Sequence, residues 1–172
     1  MTTQMTSAFD RVFIFGLGYT GLGTANVIMK KFPDCVVSGT CRSEEKKESL
    51  TNLGIDAHCF NVDGEDPALD EAGRKALLSS SHVLSTIPPV YDMDTDPVLA
   101  IHAADLKETK PWLAYLSTTG VYGNHDGEWV TESSPCLAPE SSRAYPRLAV
   151  ERKWLSLLSE EEEYKAFVFR LA

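Results

Sequence analysis

The chain has 172 residues, 43% apolar and 24% charged, which describes one ordinary globular domain with room for a filled core. A formal net charge of −9 and a pI near 4.9 argue against a general attraction to nucleic acid or anionic membrane, while still allowing one local basic pocket for a phosphate. No run of roughly 18 apolar residues occurs, and the opening MTTQMTSAFDR lacks the basic-then-apolar layout of a secretory signal, so a soluble protein of the cytoplasm is expected.

In chain order, RVFIFG from Arg11 predicts a short strand, a glycine-rich turn follows, and TANVIMKKF is helical in pattern. CVVSGTC predicts the second strand and SEEKKESLTNL a polar helix that Gly54 stops; IDAHCF is the third strand. A helix over DPALDEAGRKALLSS leads to the strand HVLSTI, and a helix over DPVLAIHAADLKET leads to the strand WLAYLST. A last helix, after Pro139, precedes the strand KAFVFRLA; SEEEEYK reads as a solvated helix end. Six apolar strands joined largely by helices require crossovers, so the expected fold class is α/β: a doubly wound parallel sheet of the Rossmann type. Residues 1–10 are expected to be a flexible N-terminus and residues 11–172 one domain of this fold.

Within FGLGYTGLG, Gly16, Gly18 and Gly21 have G-x-G-x-x-G spacing, and here the motif follows a strand and opens a helix. Gly16 can make the tight turn, Gly18 can let a pyrophosphate approach the backbone, and Gly21 can pack the helix close. With Leu17, Tyr19 and Thr20 between them, they form a candidate dinucleotide phosphate turn. Where NAD-binding proteins place an acidic residue for the ribose 2′-hydroxyl, this chain has Arg42, backed by Lys46 and Lys47. A guanidinium there can pair with a 2′-phosphate, so NADP is favoured over NAD. For Lys47 the reading is a solvated helix charge paired with neighbouring glutamates.

Two further stretches, STIPPVYDMDTDPVL and YLSTTGVYG, lie at the carboxyl ends of the fourth and fifth strands, where open α/β sheets place ligands. Together with FGLGYTG, they make residues 10–172 resemble an atypical, epimerase-like branch of the short-chain dehydrogenase/reductase superfamily, which includes nucleotide-sugar epimerases and dehydratases. The resemblance implies that Thr118, three positions before Val121 of the V-Y-G run, orients a substrate oxygen. It also implies that Asn61 and Val62 approach the adenine, and it makes Ile87 and Pro88 candidate cofactor contacts. Tyr122 reads as a packed aromatic.

The superfamily's proton donor is a tyrosine four residues before a lysine, and this chain lacks that pair. Aligning RLAVE with the usual Lys-Leu-Ala-x-Glu run puts Arg143 at the tyrosine position and Arg147 at the lysine position. Arginine keeps its proton and cannot be the acid, although Arg147 can hold a cofactor ribose. Tyr145 is the remaining candidate acid; Pro146 favours a helix starting near itself, with Tyr145 extended and outside the first turn. FVFRLA resembles the family's sixth strand, after which relatives continue into a substrate lobe. The resemblance therefore implies a fragment or a shortened product, which would expose apolar surface that the lobe covers.

Other constellations carry less. Asp92, Asp94 and Asp96 begin like a calcium loop, but Pro97 follows and no glutamate occupies the twelfth position. His58, His82, His102 and His125 lack metal-ligand spacing, and Cys35, Cys41, Cys59 and Cys136 form no C-x-x-C pair, so no metal site is expected. His125 and Asp126, in a glycine-flanked loop, offer a conceivable substrate contact. The leading expectation is an NADP-binding oxidoreductase or epimerase-like protein acting on a hydroxyl or carbonyl of a small molecule, a nucleotide sugar being one candidate. The alternative is a non-catalytic dinucleotide-binding or sensing module without the Tyr/Lys pair.

Overall fold

The structure is a computed structural model that describes residues 9–64, 67–90, 96–158 and 166–172. Strands and helices alternate: β1 (Arg11–Phe15), α1 (Tyr19–Lys31), β2 (Val36–Cys41), α2 (Glu44–Thr51), β3 (Asp56–Cys59) and α3 (Glu71–Leu78). Then come β4 (His82–Ser85), α4 (Pro97–Thr109), β5 (Trp112–Thr118), a single 3-10 turn at Thr119–Tyr122, α5 (Tyr145–Ser156) and β6 (Ala166–Leu171). The six strands form one parallel sheet in the order β3-β2-β1-β4-β5-β6. Strand order reverses between β1 and β4, so a crevice opens beyond their carboxyl ends.

Alternation along β1 builds two cores. Val12 and Ile14 pack with Val37, Leu50 and Ile55 on the side of α1 and α2. Phe13 and Phe15 pack with Val83, Leu113, Tyr115 and Trp154 on the side of α3, α4 and α5. A parallel sheet needs both layers, because its strands are apolar on both faces.

The structure corrects several boundaries. The helix predicted over 66–80 spans only Glu71–Leu78, because Asp70 is its N-cap, accepting the Gly73 N–H at 2.7 Å, while the Leu69 N–H is taken by His102 Nε2 at 3.4 Å. That bond fixes the His102 tautomer, so Nδ1–H donates to Asp105 Oδ2 at 2.9 Å, and Arg74 grips Asp105 Oδ1 at 2.6 Å. With His102 and Asp105 buried and Arg74 at the surface, the network ties α3 to α4 and gives His102 a structural role. β4 ends at Ser85 rather than Ile87, since Pro88 and Pro89 cannot donate to a ladder. Helix α1 starts at Tyr19, five residues before the predicted TANVIMKKF. Asp92, Asp94 and the SEEEEYK run lie outside the described residues.

Asp96 caps α4: the Leu99 N–H donates to its Oδ1 at 3.0 Å, and the side chain is fully buried. Burial holds its pKa above the ordinary aspartate value, partly offset by the Leu99 and Val98 amides. A carboxyl with a raised folded-state pKa favours the fold most below its unfolded pKa, and that contribution is lost as pH rises through the folded value. Chemical denaturation should therefore show the stability of the native chain, relative to Asp96→Asn, falling as pH rises from about 4 toward neutrality. A difference independent of pH would refute the assignment.

Candidate dinucleotide site

The turn after β1 is pinned from both sides. Gly16 has a φ of +90°, which favours glycine; its N–H donates to Thr40 Oγ1 at 2.8 Å, and its carbonyl accepts from Thr86 Oγ1 at 2.6 Å. The Leu17 N–H reaches Thr40 O at 2.7 Å. Thr40 and Thr86 thus fix the turn against β2 and β4, the two neighbours of β1.

Gly18 is the N-cap of α1 with no side-chain cap bond, and no acidic residue stands in the first turn. The Leu22 N–H closes onto Gly18 O at 2.9 Å, which leaves the Tyr19, Thr20 and Gly21 amides without an intrahelical acceptor. Positive dipole and free donors there suit an anion. A Cβ on Gly18 would meet nothing within 4 Å, whereas one on Gly21 would stand 2.2 Å from Gly16 O. Gly18 is therefore open to a ligand, and Gly21 is needed for close packing of α1.

Two pockets meet at Gly18 and Thr86. The larger, a cleft of about 610 Å³, runs from Gly16 and Leu17 past Thr40 to Arg42, Ser43 and Lys46. Its other wall is Val62, Asp63, Ile87 and Pro88. Among the described residues Arg42 and Lys46 have no carboxylate within ion-pair distance, whereas Lys47 pairs with Glu44 at 3.4 Å, as expected for a solvated helix charge. Asn61 does not line the cleft; its Oδ1 accepts the Asp63 N–H at 3.4 Å and shapes the loop that presents Val62.

The smaller pocket, about 250 Å³, lies between Gly18, Tyr19 and Thr20 on one side and Ser117, Leu116 and Arg147 on the other. Arg147 Nη1 donates to Tyr115 OH at 3.4 Å and Leu116 O at 3.5 Å, so the guanidinium is aimed at the end of β5. Ser117 donates to Glu151 Oε1 at 2.5 Å, and Arg170 holds the same carboxylate with Nη2 at 2.7 Å from Oε2. These short charge-assisted bonds lock β5, α5 and β6 together behind the pocket.

Thr118, the position implied to orient substrate, accepts the Gly120 N–H at 3.2 Å and caps the 3-10 turn; Ser117 rather than Thr118 lines the pocket. Tyr145 is corrected from extended to the first residue of α5, because Ala144 is already in the αR region and the Tyr145 N–H bonds Ser142 O at 3.2 Å. Its hydroxyl donates to Glu140 Oε1 at 3.3 Å and lines neither pocket. Tyr145→Phe should accordingly leave dinucleotide affinity within about twofold and stability within about 0.5 kcal/mol, measured by titration and thermal melting. A large loss of either would return Tyr145 to the site.

Thr40, Thr86, Ser43, Asp63 and Ser117 were not singled out from the sequence. Thr40 and Thr86 carried a signal only once strand order was known. Among the described residues no cluster of metal ligands occurs, and no helix is long and apolar enough to cross a membrane.

No protein-family model matches the chain, and no curated protein does. Solved structures do. The PbgP3 protein from Burkholderia pseudomallei matches with a TM-score of 0.72 at 16% identity, over 94% of this chain and 52% of that one. The dTDP-glucose 4,6-dehydratase from Bacillus anthracis, in complex with NAD, gives a TM-score of 0.71 at 13% identity, over 94% and 54%. Yeast methylglyoxal/isovaleraldehyde reductase Gre2, complexed with NADPH, gives 0.64 at 18% identity, over 93% and 53%. The chain spans about half the length of these structures and shares their Rossmann-type fold.

Proposed function

We propose that the chain binds NADP in the crevice between β1 and β4, as part of an atypical short-chain dehydrogenase/reductase-like protein. The reading rests above all on one juxtaposition: the uncapped α1 amino terminus at Gly18 opens into a cleft whose far rim carries Arg42 and Lys46. The residues fit the cofactor. Gly18, Tyr19 and Thr20 would take the pyrophosphate, Arg42 and Lys46 the 2′-phosphate, Val62 and Asp63 the adenine side, and Ile87 and Pro88 the wall between. Arg147 and Thr86 would hold the nicotinamide-side ribose in the smaller pocket.

The bound dinucleotide would supply hydride transfer to or from a hydroxyl or carbonyl carbon, as in an oxidoreductase or an epimerase. Arg147 contributes fixed positive charge and cannot yield a proton at neutral pH. Ser117, in the pocket, and Thr118, on the adjoining turn, are the hydroxyls that the end of β5 brings to this region. The dehydratase and reductase likenesses support this chemical class, and a nucleotide sugar remains one candidate substrate. A second reading, dinucleotide binding without turnover, is favoured by Arg143 and Arg147 at the tyrosine and lysine positions and by the turn of Tyr145 to Glu140.

Titration of NADPH fluorescence tests the reading: saturable binding is expected, tighter than for NADH, and its absence would sink the proposal. Among proteins that bind, NADPH oxidation across a carbonyl panel separates the enzyme from the sensing module.

A further inference from the structure

Two cysteines face each other at the carboxyl ends of β2 and β3. The strands are parallel, with Cys41 the lateral partner of Cys59. Lateral partners in a parallel sheet send their side chains to the same face, and both thiols belong to the apolar layer on the side of α1 and α2. Neighbouring strands lie about 4.8 Å apart, inside the roughly 4.4–6.8 Å between Cα atoms that a disulfide spans. Both cysteines are free, and the two thiols are in hydrogen-bonding contact. The other two are elsewhere: Cys35 precedes β2 at its opposite end, and Cys136 lies near Arg170 of β6.

The pair sits under the start of α2. Cys41 Sγ donates to Ser43 O at 3.5 Å, and the Cys59 thiol donates to the Glu44 carboxylate. Ser43 is the N-cap of α2, its Oγ accepting the Lys46 N–H at 3.3 Å, and Glu44 is the first helical residue. The two thiol hydrogens therefore hold the segment that carries Arg42, Ser43 and Lys46 to the rim of the cleft. Cys41 itself borders the cleft and Cys59 is half-buried, which gives a molecule as small as a peroxide an approach to the sulfurs.

We infer that Cys41 and Cys59 are a redox modification site: a peroxide converts the two thiols to a disulfide, and the disulfide loosens the hold of the α2 start on the 2′-phosphate of NADP. One thiolate attacks a peroxide oxygen; an S–O bond forms, the O–O bond breaks, and the displaced oxygen leaves as water with the thiol's proton. The partner thiol then attacks the sulfenic sulfur; the S–S bond forms, the S–O bond breaks, and a second water leaves. The thiols lose two electrons and two protons, and the peroxide is reduced to two waters. A disulfide has no S–H for Ser43 O or for Glu44, so those oxygens face sulfur lone pairs and the first turn of α2 withdraws. The disulfide stands without the dinucleotide reading, whereas its effect on NADPH rests on it.

The surroundings set the pace. Burial, and then the Glu44 carboxylate beside Cys59, hold both thiols protonated, with Cys59 pushed up to about 12. Thiolate is the reactive form, so oxidation is slow at neutral pH and quickens as pH rises.

Hydrogen peroxide at about pH 8.5 should make the chain about 2 Da lighter, with peptide mapping joining Cys41 to Cys59 and dithiothreitol reversing the change. Over the same conversion the NADPH dissociation constant should rise about fivefold, because the rim is loosened and not removed, while that for NADH changes by less than about twofold. Cys59→Ser should make NADPH affinity indifferent to peroxide. No intramolecular disulfide, a disulfide joining any other pair, or oxidation of these two cysteines only to sulfinic or sulfonic acid would each overturn the site. A mapped bond between Cys41 and Cys59 that leaves NADPH affinity unaltered, in a chain that binds NADPH, would overturn its coupling to the cleft. A reduced chain that binds no NADPH sinks the cofactor reading alone, and mass and mapping still decide the disulfide.

Discussion

Replacing Arg42 by aspartate should raise the NADPH dissociation constant by about 100-fold or more while changing that for NADH by less than about threefold. Arg42 follows the last residue of β2 and lines the cleft with Ser43 and Lys46. A guanidinium on a phosphate dianion makes charge-assisted bonds that stabilise by roughly 1.5–3 kcal/mol. Aspartate removes those bonds and adds a repulsive carboxylate, so the two effects act in the same direction for NADPH. For NADH the carboxylate can accept from the ribose 2′-hydroxyl, the contact that acidic residues make at this place in related folds. Lys46→Ala should produce a smaller loss with the same selectivity, and added salt should weaken NADPH more than NADH, because the pairing is exposed and screened. The measurement is a pair of fluorescence titrations for each variant. Equal losses for both dinucleotides would mean that the 2′-phosphate does not lie against Arg42.

How far the sequence reached depended on whether the signal was local. β5 was predicted over 112–118 and is Trp112–Thr118; α4 was predicted over 96–109 and is Pro97–Thr109 with Asp96 as its cap. Both carry their own boundary chemistry, an apolar run in one and an aspartate before a proline in the other. The start of α3 did not. The helix was predicted from residue 66, and its start at Glu71, capped by Asp70, goes with a tertiary bond from Leu69 to His102, 33 residues away. The candidate site divides the same way. The glycine turn is legible because its geometry is set within six residues, while Thr40 and Thr86 matter only because β2 and β4 flank β1. Ser117 and Thr118 are neighbours on one strand and point to opposite sides, so which of them lines the pocket could be read only once the strand's facing was known. Pro146 misled, because a turn-rich approach through Ser142 had already set Ala144 helical and Tyr145 joined the helix.

Alanine at Gly18 and alanine at Gly21 should fail in opposite ways, and the contrast separates binding from folding. A Cβ at Gly21 would lie 2.2 Å from Gly16 O and 3.1 Å from Gly16 C, and both are backbone, so the turn and α1 must part. Overpacking of that kind costs about 2–4 kcal/mol, or a fall of roughly 5–15 °C in Tm for a chain of this size. Gly18 has φ −79° and ψ −155°, an extended conformation open to alanine, and a Cβ there meets no atom within 4 Å. Gly18→Ala should therefore leave Tm within about 2 °C of the native chain. Its methyl group nevertheless stands at the uncapped end of α1, where a pyrophosphate must come close to the free amides. Dinucleotide affinity should fall about 100-fold, for NADPH and NADH alike, because the pyrophosphate is common to both. Thermal melts of the unliganded variants and titrations with both dinucleotides decide the matter. If Gly18→Ala bound NADPH as tightly as the native chain, the phosphates would not sit on the glycine turn. If instead it bound neither dinucleotide and melted normally, the loss would be one of access at the turn, distinct from the selective loss expected of Arg42→Asp.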